Sequence, residues 1–147
     1  PPCTGRRVPD GNLHMTLAFV GHVTAEQHAC MEAAAAAVEA APFTVTLDRL
    51  GYWPRPRIVW AGARVTPPAL IDLVARLNRG LSGCGHQPEQ RPYQAHVTLA
   101  RKGQAPPRCG TIPPITWPVN SFCLIESASA EHGSSYRVLA AWPLRGL

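Results

Sequence analysis

The sequence predicts an α+β fold, antiparallel sheet with helices packed on its outer side, on three observations. Short stretches alternating apolar and polar residues, the period of a half-buried strand, recur along the 147 residues. Two longer stretches carry helix signals, one Ala-rich and one with apolar residues on a single helical face. Connections between several neighbouring strands are of hairpin length, which pairs strands antiparallel. The predicted order is β-α-β-β-α-β-β-β.

Residues 12–20 form the first predicted strand, with Leu13, Met15, Leu17 and Phe19 on one face and His14, Thr16 and Ala18 on the other. Thr24-Ala-Glu-Gln27 has capping-box spacing, and the Ala-rich run to Ala41 favours a helix that Pro42 ends. Residues 43–47 and 58–61 are predicted strands, with the Gly51–Arg57 segment as their hairpin connection. Thr66 is the expected N-cap of a second helix, with Pro67 at its first position. Leu70, Leu73, Val74, Leu77 and Leu81 mark that helix's apolar face, and it ends near Gly83. Strands over 95–101, about 117–126 and 136–142 complete the chain. The segment 103–114, with four prolines and two glycines, is an expected loop.

Composition narrows the function classes. The length suits a single domain over 1–147. An apolar fraction of 46% with 16% charged residues is that of a globular protein rather than a disordered one. No apolar run approaches the ~20 residues of a membrane span, and no secretory leader is visible, so a soluble, cytoplasmic monomer without membrane partners is expected. The formal net charge is +5, and Lys102 alone of the fourteen cations is not Arg. That balance suits a polyanionic partner. Five widely spaced cysteines, with no Cys-x-x-Cys pair, predict reduced thiols rather than a disulfide framework or a zinc site. The chain opens on Pro1-Pro2-Cys3 without methionine and is expected to begin inside a longer protein.

The chemistry lies in a repeat. The decapeptides Asn12–Gly21 and Gln94–Gly103 share His14/His96, Thr16/Thr98, Leu17/Leu99, Ala18/Ala100 and Gly21/Gly103. Two His-x-Thr copies, each followed by Leu, should arise by shuffling on the order of once in a thousand chains. His and Thr two apart on a strand point the same way, about 6.6 Å apart at Cα, so both side chains reach one tetrahedral anion. Histidine ionises near neutrality, so one imidazole can take a proton from water while the other gives one to a leaving alkoxide. Threonine hydroxyls can donate to the phosphoryl oxygens as charge builds. No carboxylates or cysteines complete a metal-ligand set around these histidines, so no metal or cofactor is expected.

His14-Met-Thr-Leu17 and His96-Val-Thr-Leu99 resemble the paired His-x-Thr-x signatures of the 2H phosphoesterase superfamily, most closely its RNA 2′,3′-cyclic phosphodiesterases, once called 2′-5′ RNA ligases. Val8–His14, Phe19–Gly21, Arg91–Arg101 and Tyr136–Leu144 extend the resemblance over nearly the whole chain. It implies two pseudo-symmetric lobes of antiparallel sheet with outer helices around a central cleft. It also implies an enzyme that, without metal, opens the 2′,3′-cyclic phosphate of an RNA 3′ end or a nucleotide to a 2′-phosphate. By position, His96 is similar to the family's general base and His14 to its acid. Thr16, Thr98 and Arg101 match its phosphate ligands, and Phe19 matches an aromatic beside the nucleobase. The family's Phe-rich strand and following helix, upstream of the first signature, have no counterpart here, so one strand is expected to be missing from the sheet.

Other residues have plainer readings. His22, His28, His86 and His132 lack a repeated context and are ordinary surface or turn histidines. Tyr52 and Trp53 either pack the hairpin or stack a base, and Arg55 and Arg57 either decorate a solvated loop or follow an RNA backbone. Rival functions are another cyclic phosphate, 2′-5′ ligation by the same side chains, and non-catalytic binding of RNA ends.

Overall fold

A computed structural model of the chain describes residues 5–103, 111–130 and 133–145. The chain divides into two compact units. A sheet unit takes Pro1–Leu17, Thr44–Thr66 and Gln94–Trp117, and a helical unit takes Ala18–Phe43, Pro67–Tyr93 and Pro118–Leu147.

The sheet is built from β1 (Arg6–Arg7), β2 (Phe43–Trp53), β3 (Ile58–Gly62), β4 (His96–Arg101) and β5 (Thr111–Val119), in spatial order β1-β4-β3-β2-β5. Antiparallel pairing of β2 with β3, β3 with β4 and β1 with β4 bears out the α+β expectation. Leu50, Val59, Ala61, Val97 and Ala100 share one buried face, with Val59 and Ala100 at 1% exposure or less. A side chain of Val59's size contributes about 1.5–3 kcal/mol when fully buried.

The first decapeptide departs most from expectation. Residues 12–20 form no strand: Asp10–Asn12 is a 3-10 turn, and Met15 makes an isolated antiparallel bridge to Val97. The cause lies upstream. Arg6 and Arg7 already occupy the edge of β4 opposite Arg101 and Ala100, and the Val8 N–H donates to the Leu99 carbonyl at 2.8 Å. Pro9 has no N–H to extend that ladder. The chain leaves through the 3-10 turn and rejoins the same edge in a new register. Partner numbers that summed to 107 at Arg6–Arg101 sum to 112 at Met15–Val97.

In the helical unit, α1 (Ala25–Ala36) starts with the expected capping box, Thr24 and Gln27 exchanging bonds of 3.0 and 3.1 Å. It ends five residues before Ala41. Beyond it, the Glu39 carbonyl accepts from the Arg76 guanidinium at 2.7 Å and the Ala40 carbonyl from the Arg145 N–H at 2.9 Å. The second helix, α2 (Pro68–Ser82), begins one residue later than predicted, with Pro67 rather than Thr66 at its N-cap, and Gly83 caps it as expected. Its five predicted apolar positions are all buried. Gly80 lets the helices approach closely, since a Cβ there would lie 3.3 Å from that of Ala34. The expectation of reduced thiols fails for two cysteines: Cys30 on α1 is disulfide-bonded to Cys84 beyond α2, with Cα atoms 5.8 Å apart. A separation of 54 residues hid the pair, and only the packing of α1 on α2 brings it together.

The predicted loop 103–114 is partly strand. Pro113 and Pro114 lie in β5, which is an edge strand, the position in a sheet where proline is tolerated; residues 104–110 lie outside the described part. The predicted strand over 117–126 divides at Asn120 into β5 and β6 (Ser121–Ala130), and β6 pairs with β7 (Gly133–Pro143) in a two-stranded ribbon.

Candidate active site

The Met15–Val97 bridge sets the geometry of the repeat. In an antiparallel pair, residues directly opposite share a face, with Cβ atoms about 4.5–5.5 Å apart. Continuing the bridge's register by one residue each way puts His14 opposite Thr98 and Thr16 opposite His96. All four side chains therefore lie on one face, the one turned away from buried Val97. The two copies meet at this one bridge, and its register places each histidine on the side of the other copy's threonine.

Both imidazoles are anchored alike. His14 Nδ1 lies 2.7 Å from the Asn12 carbonyl and His96 Nδ1 lies 3.0 Å from the Gln94 carbonyl, each two residues upstream. A carbonyl oxygen only accepts, so Nδ1 carries the hydrogen in both rings and Nε2 is the basic nitrogen, the one that exchanges protons. The sequence repeat extends to a repeated backbone bond.

Arg101 joins this face through a bulge. Simple alternation along β4 would put residues 96, 98 and 100 on one side and Arg101 on the other. Against β3, however, Thr98 pairs with Trp60 and Ala100 with Val59, which leaves Leu99 unpaired there. The extra residue reverses the alternation. Ala100 turns into the core at 1% exposure, and Arg101, opposite Ile58, returns to the His96 and Thr98 face.

An aromatic floor, which the sequence did not disclose, lies beside His96. Trp60 sits over Gly51 and Gly62; a Cβ on either glycine would lie 2.1 or 2.6 Å from an indole carbon, so both positions demand hydrogen. Trp53 packs on Trp60 at 5.1 Å between centroids and meets the His96 imidazole edge-on at 4.7 Å, 72° between planes. The Arg49 guanidinium lies 5.0 Å from the Trp60 centroid, a cation–π distance. Among the described residues the buried Trp60 indole N–H has no hydrogen-bond partner. The signal was present in outline: Gly51 pairs directly with Trp60 across the hairpin, and Gly62 stands two residues on.

Thus His14, Thr16, His96, Thr98 and Arg101 fall together in the sheet unit. Phe19 lies in the helical unit and is 80% exposed. His28 bonds Glu32 one turn along α1 at 2.8 Å, the ordinary role expected of it. Among the described residues no group of three or more His, Cys, Asp or Glu could hold a metal ion. Nor is any helix among them long and apolar enough to cross a membrane.

A mixed fold of antiparallel sheet with both His-x-Thr copies facing the same way defines a phosphoesterase-like architecture, and known proteins share it. The family model of the 2′-5′ RNA ligase superfamily matches residues 4–131. An RNA 2′,3′-cyclic phosphodiesterase of Escherichia coli K12 is 38% identical over 98% of this chain and 82% of its own length. A crystal structure of a phosphoesterase superposes with a TM-score of 0.87 at 37% identity, covering 99% of this chain and 84% of that one. E. coli LigT complexed with 3′-AMP superposes at 0.83 with 37% identity, over 98% and 83%. The chain belongs to the 2′-5′ RNA ligase superfamily.

Proposed function

We propose that this protein hydrolyses the 2′,3′-cyclic phosphate at RNA 3′ ends, leaving a 2′-phosphate and a free 3′-hydroxyl. The observation that carries this reading is the shared face, where two imidazoles anchored through Nδ1 stand among two threonine hydroxyls and one guanidinium. His96 Nε2 takes a proton from water as its oxygen bonds to phosphorus. The bond from phosphorus to O3′ breaks, and His14, protonated at Nε2, gives its proton to O3′. Thr16, Thr98 and Arg101 hold the non-bridging oxygens as negative charge grows there. Phe19 is the residue that the family resemblance assigns to the neighbourhood of the nucleobase. The assignment of base to His96 and acid to His14 follows the family resemblance, since the two anchors are alike. The relatives support the substrate: one is named for this activity, and LigT has been crystallised with a nucleotide and with phosphate.

The test is turnover of 2′,3′-cyclic nucleotides and cyclic-phosphate-ended RNA with EDTA present. Activity should persist in EDTA and follow a bell-shaped pH profile. His14→Ala and His96→Ala should each lower kcat by about two to four orders of magnitude. Full turnover in either variant would remove that histidine from the mechanism. Joining of 2′,3′-cyclic phosphate ends to 5′-hydroxyl ends, the P–O5′ bond forming as P–O3′ breaks and O3′ takes the proton, with no hydrolysis, would favour ligation instead.

A further inference from the structure

The sheet unit holds nine Lys or Arg against two Asp, and the helical unit five Arg against seven acids, so the formal charges are +7 and −2. The excess within the sheet unit is concentrated at one end of the sheet. Three backbone segments meet there. Arg6 of β1 pairs with Arg101 of β4, and Arg101 pairs with Ile58 at the start of β3. The β2–β3 turn, with Arg55 and Arg57, is tied to the same place. The Gly103 N–H donates to the Arg57 carbonyl at 3.2 Å, and the Tyr52 hydroxyl donates to the Gly103 carbonyl at 2.9 Å. Arg6, Arg55, Arg57, Arg101 and Lys102 are all exposed. None of them is in an ion pair among the described residues, whereas nearby Arg7 is neutralised by Asp10 at 2.8 Å. Neither 1–4 nor 104–110 contains an acid.

The placement is constrained as well as charged. Arg57 and Lys102 have φ of 66° and 59°, left-handed values uncommon for residues other than glycine, and the first is directly bonded to the residue after the second. Such conformations cost free energy and persist where the surroundings fix them. The cluster also continues the proposed phosphate face, because Arg101 belongs to both. From Thr98 to Arg101 is about 10 Å along the strand.

We infer that this end of the sheet is a track for the phosphodiester backbone of single-stranded RNA, carrying the nucleotides that precede the cyclic phosphate. The inference rests on the proposed function and adds to it the place on the sheet where the strand upstream of the cyclic phosphate runs. An acidic protein surface would answer the charge alone. A strand with a phosphate in every nucleotide also accounts for the continuity of the cations with the histidine face.

The experiment separates the track from the chemistry by measuring binding without turnover. A 3′-hydroxyl oligoribonucleotide of about ten residues, labelled at its 5′ end, is titrated by fluorescence anisotropy at several salt concentrations. The full chain is compared with Arg55→Gln/Arg57→Gln and Arg6→Gln/Lys102→Gln. Each double variant should bind at least tenfold more weakly at low salt. Its plot of log K against log salt should be shallower by roughly 1.4, at about 0.7 for each phosphate no longer neutralised. Arg79→Gln/Arg145→Gln, which removes the same charge from the helical unit, should bind as the parent does. Turnover of 2′,3′-cyclic AMP should be unchanged in all three. Equal affinity and slope in parent and track variants would overturn the inference whatever the turnover, as would equal weakening by the helical-unit control. Absence of cyclic AMP turnover in the parent would instead count against the proposed chemistry.

Discussion

The sheet unit carries the candidate-site side chains on one face: two anchored imidazoles, two hydroxyls and Arg101, beside an aromatic floor. The helical unit carries a disulfide, a capping box and a run of leucines at 7% exposure or less along α2. One unit accepts costs for geometry, including two glycines under a tryptophan and two left-handed cations. The other shows the devices that hold a small core together. The difference teaches where each kind of substitution should be felt: activity in the first unit, stability in the second.

The largest effect tests the first half of that division. His96→Ala should remove two to four orders of magnitude in kcat while the urea unfolding midpoint stays close to the parent's, because the ring is only half-buried. A large drop in midpoint would show the imidazole to be a packing element of the aromatic floor. Leu73→Ala tests the other half. Leu73 is 0% exposed, and its truncation should cost about 2–5 kcal/mol in equilibrium unfolding, with kcat of the folded fraction unchanged. Cys30→Ser, which opens the link to Cys84, should cost about 2–4 kcal/mol by the same measurement. The parent should lose the same amount on adding dithiothreitol, and the variant nothing.

Gly51→Ala is the substitution that blurs the division by design. Its methyl group would overlap the Trp60 ring, which should cost about 1–3 kcal/mol. It should also lower kcat, since Trp60 supports Trp53 and Trp53 meets His96. An unchanged kcat would separate the floor from the imidazole. The smallest effect is alkaline. Burial pushes the Tyr93 phenol up from 10.0 to about 12, so between those values the unfolded chain has released a proton that the folded chain retains. This contribution is complete below pH 10 and should fall away on the order of 2 kcal/mol as pH rises toward 12. Tyr93→Phe should flatten that decline in pH-dependent unfolding.

Much of this was legible in the sequence where local rules decide. The capping box at Thr24, the leucine face of α2 and the strand at His96 all depend on neighbours within a turn or two. The His-x-Thr repeat was legible because it is duplicated. What escaped depends on register. Residues 12–20 alternate like a strand, yet β1 had already filled that edge of β4 and Pro9 closed the ladder. The Cys30–Cys84 bond and the Gly51–Trp60 contact join residues that become neighbours only after helices pack or strands pair. Arg101 was picked out by resemblance alone, since the period of a strand argued against it.

The bulge at Leu99 has a consequence for reading other chains and for editing this one. Residues sharing one face of an uninterrupted strand are separated by even numbers, and Thr98 and Arg101 are separated by an odd one. Odd parity between two groups that must act on the same molecule is thus arithmetic evidence for an inserted residue between them. The converse is an editing rule. Deleting Leu99, or adding one residue beside it, would leave every side chain of the His-x-Thr pair in place and still send the guanidinium to the opposite side of the sheet. Length, at that one point, is as much a determinant of the site as the identity of any residue in it.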